Sequence, residues 1–480
     1  MIDTRKFKMD LPPSVSKIIE ILEHSGYEAC CVGGCVRDAF LGKTPHDYDI
    51  CTSATPEQMK EAFRRSKNKT YDTGLQHGTI SVLSDKELLE VTTYRIDGDY
   101  KDGRHPETVQ FVDDITKDLA RRDFTINAMA YNPQKGLIDP FGGVNDCENK
   151  IIKCVGDPNK RFNEDALRIL RAIRFAATNG FWIEPETETA MNKHKHLLQN
   201  VSAERNTMEL LKILTHADYD LMMNNRDIFA EYLPELKPMF GFGQHTPWHM
   251  YDVWEHTVRA IELAPKDVVV RLTMLLHDIG KPNSFTFDEQ EQKGHFHNHN
   301  IESLKIAETI LKRMRLDNET VNQVKCLIEY HDAILVNKPT RIKRILNQIG
   351  KENFDKLVDV QLADKQAYRL TREQYQQLDE TQMSEISKCI KRNIEELDQL
   401  KNAAEKIIAR GECYQMKDLA INGSDLIELG MLPGKEMGAL LKLMLDKVIC
   451  EPELNQKELL IREVKTITGK DIDEEIQISR

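Results

Sequence analysis

The chain has no run of about 18 uninterrupted apolar residues, so nothing in it reads as a membrane-spanning helix. Its opening residues, MIDTRKFKMDLPPSVSK, lack the apolar stretch of a secretory leader. Its ten cysteines form no CxxC pair and no regular spacing. That argues against a zinc ribbon or a disulfide framework and predicts reduced thiols in a cytoplasm. Cys31 and Cys35, which flank a glycine pair, read as small packing residues. Positive charge is also scarce: 66 Lys and Arg face 78 Asp and Glu, a formal net charge of −12. A protein that grips nucleic acid by its backbone is usually basic. Any nucleic-acid partner should therefore be held by local patches and by shape. Candidate patches are residues 60–69 (KEAFRRSKNK) and the arginines after Glu164. The acidic end, KDIDEEIQ, reads as a solvated terminus. No internal repeat or low-complexity linker is evident.

What is present suits a globular protein. The 480 residues, 40% hydrophobic and 30% charged, have room for about three domains at roughly 150 residues each. Between about residues 26 and 155, short β-rich runs (YEACCVGG, HDYDICT, HGTISVL, LLEVTTYRI, ETVQFV) alternate with turn residues. From about residue 163 the periodicity is helical almost throughout. A Pro- and Gly-rich segment, residues 233–249, suits a boundary. The pattern predicts an α/β (α+β) head followed by all-α segments, predominantly helical overall, with a histidine-rich module inside the helical part.

Chemistry concentrates first in GGCVRDAFLGKTPHDYDI, residues 33–50. If HDYDICT is a strand, Asp47 and Asp49 project from one face. Two adjacent carboxylates repel, and one takes up a proton unless cations sit between them. Mg²⁺ favours such oxygen ligands together with substrate phosphates. Two ions could clamp the attacking and leaving oxygens of a phosphoryl transfer. Gly33 and Gly34 end one strand where a short helix begins, and such a turn offers N–H groups to phosphate. Arg37 adds a positive fork. Singly, DxD and Gly-Gly are common turns; in this order they point to a triphosphate site.

Two further clusters stand out. In EDALRILRAIRFAA, Asp165 and Arg168 are three apart, and Arg171 and Arg174 continue the stripe. A carboxylate accepts from an exocyclic amine, and a guanidinium donates to a ring nitrogen. One such pair could admit cytosine and adenine while rejecting uracil and guanine. An ordinary helix ion pair fits the spacing equally. Later, His277 and Asp278 end an apolar helical run. A charge buried there needs a partner, and a metal ion could supply it.

These stretches, in order, resemble the class II CCA-adding tRNA nucleotidyltransferases and their bacterial poly(A) polymerase relatives, within the polymerase-β-like superfamily. Residues 33–58 resemble the first motif and RIDGDYKDGRHPETVQF (residues 95–111) the flexible loop. RRDFTINAMAYN (residues 121–132) resembles the second motif, EDALRILRAIRFA (residues 164–176) the nucleobase reader and VSAERNTMELLKIL (residues 201–214) the neck. The C-terminal LAINGSDLIELGMLPGKEMGALLKLML is similar to the body and tail. The resemblance implies that Asp47 and Asp49 bind catalytic Mg²⁺. It implies that Gly33, Gly34, Arg37 and Arg122 hold the triphosphate, that Asp123 and Asn127 lie near the ribose, and that Asp165, Arg168, Arg171 and Arg174 serve the base. Glu90 is a candidate third carboxylate. His256, His277, Asp278 and Asp364 resemble the ligands of an HD phosphohydrolase module binding a divalent metal, to which His299 and His331 could add. His295 and His297 read as loop or substrate residues. The implied domains are a head (1–155), a neck with base-reading and RNA-binding helices (156–240), an HD domain (245–366) and a tRNA-binding body and tail (367–480). The expected activity is addition of C and A to tRNA 3′ ends from CTP and ATP, releasing pyrophosphate. Poly(A) polymerase and A-only addition are the alternatives within this chemistry. An HD phosphohydrolase acting on nucleotides or RNA ends, and a non-catalytic tRNA binder, are those outside it. The intact loop argues against CC-only addition and the intact DYD against a dead enzyme.

Overall fold

The computed structural model describes residues 7–98, 108–245, 251–290, 292–367 and 380–468. The centre of the loop motif (residues 99–107), residues 246–250 at the start of the HD-like segment, and the acidic end (residues 470–477) lie outside them. The chain separates into two compact units. One runs to Lys237 and includes Arg313–Arg315; the other comprises Pro238–Lys312 and the chain from Leu316 on.

The first unit is built on a seven-stranded mixed sheet. Helix α1 (Pro13–His24) places Val15, Ile18, Ile19 and Leu22 in the core at helical spacing. Strand β1 (Ala29–Val32) is buried at every position, as a central strand covered on both faces must be. It runs into α2 (Gly34–Phe40), then β2 (Asp49–Thr52) and α3 (Pro56–Arg65). Pro56 at the helix start and a Thr55–Gln58 capping box begin α3. Strands β3 (Lys69–Gly74), β4 (Thr79–Ser84) and β5 (Glu87–Thr93) form a meander. A separate ribbon pairs β6 (Arg95–Asp97) with β7 (Val109–Phe111) ahead of α4 (Ile115–Ala120). Strands β8 (Ala130–Asn132) and β9 (Gly136–Ile138) finish the sheet, whose order is β3-β4-β5-β2-β1-β8-β9. Within this sheet only β2 and β5, among the described strands, pair in parallel.

HDYDICT is shorter as a strand than expected. Val32 pairs with Asp49, and Gly33 then turns at φ +76°. The β1 side therefore offers residues 47–48 no ladder partner, and the strand starts at Asp49. Strands β3, β8 and β9 had no clear sequence signal.

Beyond the sheet come α5 (Gly143–Glu148), β10 (Ile151–Ile152), α6 (Pro158–Glu164) and α7 (Leu167–Asn179). Gly180, left-handed at φ +67°, stops α7. Strand β11 (Trp182–Ile183) pairs with β10, the first exception to the all-helical expectation. Helices α8 (Pro185–His194), α9 (Ala203–Leu214), α10 (Tyr219–Asn224) and α11 (Arg226–Tyr232) follow, with α7 packed along α9.

The second unit is helical except for one hairpin. Helices α12 (Val253–Leu263) and α13 (Val268–Leu276) come first, then the short α14 (Lys281–Ser284). Buried Arg271 donates to the carbonyls of Glu262, Ala264 and Pro265, satisfying acceptors that the end of α12 leaves open. The β12 (Phe285–Asp288) and β13 (Lys293–Phe296) hairpin is the second exception. Helices α15 (His299–Met314), α16 (Asn318–Tyr330) and α17 (Pro339–Ala367) follow; α16 packs on α13, and α17, which bends at Gly350, φ +78°, packs on both α12 and α13.

Candidate active site and metal centre

The first site is assembled at one end of β2. Asp47, Tyr48, Asp49 and Glu90 line a cleft of about 660 Å³. The parallel register, Ile50 to Val91, sets Glu90 beside Asp49 on the neighbouring strand. Loss of water raises the carboxyl of Asp49 above its ordinary range. Arg122 opposes the rise and the Asp47 charge adds to it. The pair thus carries negative charge that the protein does not fully offset, which fits a cation. Gly33 is required twice over. Its φ of +76° disfavours side chains, and a Cβ there would lie 2.8 Å from an Arg122 Nη. Arg122 therefore packs directly against the turn that starts α2.

Behind the cleft the predicted residues form one network. Buried Arg37 donates to Asn127 Oδ1 at 2.5 Å and to Asp38 at 2.8 Å. Asn127 donates to Asp123 at 3.1 Å, and Arg171 grips the other Asp123 oxygen at 2.7 and 2.8 Å. Arg174 reaches Glu209 on α9 at 2.5 Å. The Phe175 ring lies under three guanidiniums, 4.0 Å from Arg174, 5.1 Å from Arg37 and 5.2 Å from Arg171. Glu209 and Phe175 were missed, because neither carries a signal without the fold.

Burial raises the Asp123 carboxyl, but Arg171 and the Asn127 donor outweigh it and bring it down to about 2, against an ordinary 3.8. A lowered carboxyl stabilises the fold above its unfolded value, and that stability is lost as pH falls through the folded value. Asp123→Asn should therefore cost the first unit about 2 kcal/mol near pH 7. It should also flatten acid destabilisation between about pH 4 and about pH 2. Urea unfolding of this unit at pH 7 and pH 3 measures both.

The base-reading motif departs from expectation. Asp165 does not share a helix face with Arg168: it is extended (φ −148°, ψ 105°) in the break between α6 and α7. Its Oδ1 accepts from the Leu167 N–H at 3.1 Å. Arg205 on α9 takes both of its oxygens, Nη1 to Oδ1 at 3.3 Å and Nη2 to Oδ2 at 2.7 Å. Arg168 is held instead by Glu164 at 2.6 Å and by the carbonyls of Arg161 and Arg121. The two side chains are thus anchored separately, Arg168 on Glu164 and Asp165 on Arg205. The candidate basic patches are tempered too. Lys60 pairs with Asp72 at 2.7 Å, and Arg64 and Arg65 both pair with Glu61.

The second site gathers six buried side chains of the second unit. His256, His277, Asp278 and Asp364 form one group and Asp278, His299 and His331 another, with candidate ligand atoms within 4.8 Å of one another in each. Asp278 belongs to both. Its Oδ2 is 3.2 Å from His277 Nε2, and its Oδ1 is 3.4 Å from His299 Nε2 and 3.9 Å from His331 Nε2. His277, His299 and His331 each direct Nδ1 at the carbonyl three residues back: Met274 at 2.7 Å, Phe296 at 3.0 Å and Ile328 at 2.7 Å. A carbonyl only accepts, so each Nδ1 carries the hydrogen and each Nε2 is left as the ligand atom. His299 and His331 bring these atoms to 3.0 Å. Burial, then the charge on His277, lowers His331 to about 3 and keeps it neutral. Two ring nitrogens facing each other at this distance fit a cation between them. Burial lowers His277 as well, but the Asp278 and Asp364 charges reverse this and lift it to about 10. A proton thus occupies the place that a cation would take. Lys281, at 2.7 Å from Asp278, and Lys365, at 3.3 Å from Asp364, are additions that sequence reading missed. His295 lies on β13, not in a loop, and stacks on His297 at 5.4 Å; neither belongs to either group.

Comparison with known proteins bears on both sites. The Poly A polymerase head domain family matches residues 29–153. The family described as the probable RNA and SrmB-binding site of polymerase A matches residues 180–240, and the HD domain matches residues 249–392. A CCA-adding enzyme of Levilactobacillus brevis is 32% identical over 448 residues, 93% of this chain and 96% of that protein. One from Ligilactobacillus salivarius is 31% identical over 477 residues, 96% of this chain and 97% of that protein. The CCA-adding enzyme of Bacillus subtilis is 48% identical over 197 residues, 41% of this chain and 49% of that protein. Among solved structures, a Bacillus stearothermophilus CCA-adding enzyme in complex with CTP is similar with a TM-score of 0.66 at 27% identity, covering 96% of this chain and 100% of that one.

Proposed function

The chain belongs to the family of CCA-adding enzymes, and we propose that its first unit builds the CCA end of tRNA from CTP and ATP with the residues gathered at β2. The observation that carries this reading is the meeting of Asp47, Asp49 and Glu90 in one cleft, with Arg122 packed on the Gly33 turn beside it. Asp47 and Asp49, with Glu90 as third carboxylate, would hold Mg²⁺. The bound ion supplies positive charge against the attacking and leaving oxygens. The Gly33–Gly34 turn and Arg122 hold the triphosphate, and Arg37 braces that turn through Asn127. Asp123 and Asn127 lie toward the ribose. Asp165 accepts from the exocyclic amine of cytosine or adenine while Arg168 donates to the ring nitrogen. Arg171 and Arg174 fix this wall through Asp123 and Glu209. The terminal 3′-hydroxyl of the tRNA attacks the α-phosphate, and pyrophosphate leaves.

We divide the chain by role into a head (1–155), neck (156–240), HD domain (245–366) and body and tail (367–480). We read the second site as an HD phosphohydrolase centre in which His256, His277, Asp278 and Asp364, with His299 and His331, would hold divalent metal; this nitrogen-rich ligand set favours transition metals. No described helix is long and apolar enough to cross a membrane. The nine described cysteines are free thiols, which supports a cytoplasmic location.

The test uses the full chain with a tRNA lacking CCA, given each NTP singly and then CTP with ATP. Expected are C addition with CTP, completion to CCA with both, and little extension of unstructured RNA. Long A tails from ATP alone, on either RNA, would overturn CCA addition in favour of poly(A) synthesis.

A further inference from the structure

Arg205 has no role of its own toward phosphate or base in the reading above, yet it takes both oxygens of Asp165. A carboxylate offers about four lone-pair positions. On Oδ1, one is taken by the Leu167 N–H at 3.1 Å and one by Arg205 Nη1 at 3.3 Å. On Oδ2, Arg205 Nη2 takes one at 2.7 Å. One acceptor position on Oδ2 remains. Asp165 also has no helical backbone to orient it, because it sits extended between α6 and α7. The fork of Arg205 and the Leu167 N–H are therefore what fixes the carboxylate. Its partner in reading, Arg168, is anchored separately by Glu164 and two carbonyls.

We infer that Arg205 is the specificity-positioning residue of the nucleotide pocket: it locks Asp165 so that one lone pair faces the base, admitting an amine edge and opposing a carbonyl edge. The inference rests on Asp165 reading the base and goes beyond it by naming what sets the reading. A base that presents N–H₂, as cytosine and adenine do, donates to that position. A base that presents a carbonyl, as uracil does, meets it oxygen to oxygen. Without Arg205 only the Leu167 N–H holds the carboxylate, which can then turn about that single bond. It then loses grip on the amine and no longer stands fixed against the carbonyl. Lysine at 205 keeps the charge but lacks the planar two-point fork, so it should restore only part of the selectivity.

The experiment measures kcat/KM for CTP and UTP on one tRNA lacking CCA, in wild type, Arg205→Ala, Arg205→Lys, Asp165→Ala and Asp165→Ala/Arg205→Ala, with thermal melting of each. Arg205→Ala should lower the CTP-to-UTP ratio by about tenfold, the scale of one misplaced buried hydrogen bond. Arg205→Lys should fall between it and wild type. In the Asp165→Ala background, removing Arg205 should leave the ratio unchanged, the signature of two residues acting as one. If Asp165→Ala lowers the ratio but both Arg205 variants keep it at the wild-type value, Arg205 is only a brace between α9 and the break after α6. An unchanged ratio in Asp165→Ala sinks the base-reading role itself, a different failure. Should Arg205→Ala melt before assay, Arg205→Lys decides alone: a wild-type ratio overturns the inference.

Discussion

Asp49→Asn should abolish nucleotide addition, by about 10³-fold or more, in a protein that melts no earlier than wild type. The loss follows from the carboxylate's place beside Asp47 and Glu90 in the cleft. A metal held there contributes several kcal/mol of charge stabilisation to the transition state, and each 1.36 kcal/mol or so is a factor of ten in rate. The intact fold follows from β2, whose Ile50, Cys51 and Thr52 are buried in the core while the Asp49 carboxylate projects into the cleft. The sign of the stability change comes from the raised carboxyl of Asp49. A raised acid destabilises the folded state above its folded value, and the penalty fades as pH falls. In chelator at pH 7 the asparagine should therefore melt at or slightly above the wild-type temperature, a gain that vanishes in acid. Asp47→Ala should match the loss of activity. Near wild-type addition by either variant in Mg²⁺ would refute the carboxylate assignment.

Asp278→Asn should empty the second site of metal and lower the stability of the second unit by about 3 kcal/mol or more. Asp278 is the one carboxylate common to the two ligand groups. It is also the ion-pair partner of Lys281, at 2.7 Å, and both are buried. Taking one member from a buried ion pair strands the other charge, which typically costs 3–5 kcal/mol. Nucleotide addition should persist, because Asp47 and Asp49 belong to the other unit. Elemental analysis after dialysis reads the metal content and calorimetry the stability. Wild-type metal content in Asp278→Asn would dismiss the shared-carboxylate centre.

The parts of these sites that depend on near neighbours in sequence were legible. Asp47 and Asp49 announce themselves by spacing, and His277–Asp278 by ending an apolar helix. Asp165 was misplaced because EDALRILRAIRFAA keeps helical periodicity straight through it, with no Gly or Pro to interrupt. A signal was present: aspartate competes for backbone N–H groups and prefers helix starts to interiors, and here it takes the N–H of Leu167. Arg205 had no such signal, since only tertiary folding brings it across 40 residues to Asp165. Glu90 could be named as a candidate from its strand-like run, but its place beside Asp49 depends on a parallel register that no local pattern encodes. The strand run HDYDICT was overextended because alternation does not reveal where a partner strand stops. The second site's ligands came from resemblance in chain order; the carbonyls that fix the imidazoles become visible only once helix ends are known.

The order of strands in the head also shapes how it comes into being. The β4–β5 hairpin closes between Ser84 and Glu87, three residues apart, whereas β1 meets β8 through Val32 and Ala130, 98 apart (130 − 32). Chain-closure entropy grows with the logarithm of the loop, so the second pairing costs about 3 kcal/mol more before any contact repays it. Folding slows as contacts become sequence-distant. Strand β2, which begins at Asp49, sits between β5 and β1 and so joins the early hairpin side to the late one. The local hairpin can form while the chain is still short, but the sheet that presents Asp49 is complete only after residue 130 has joined it.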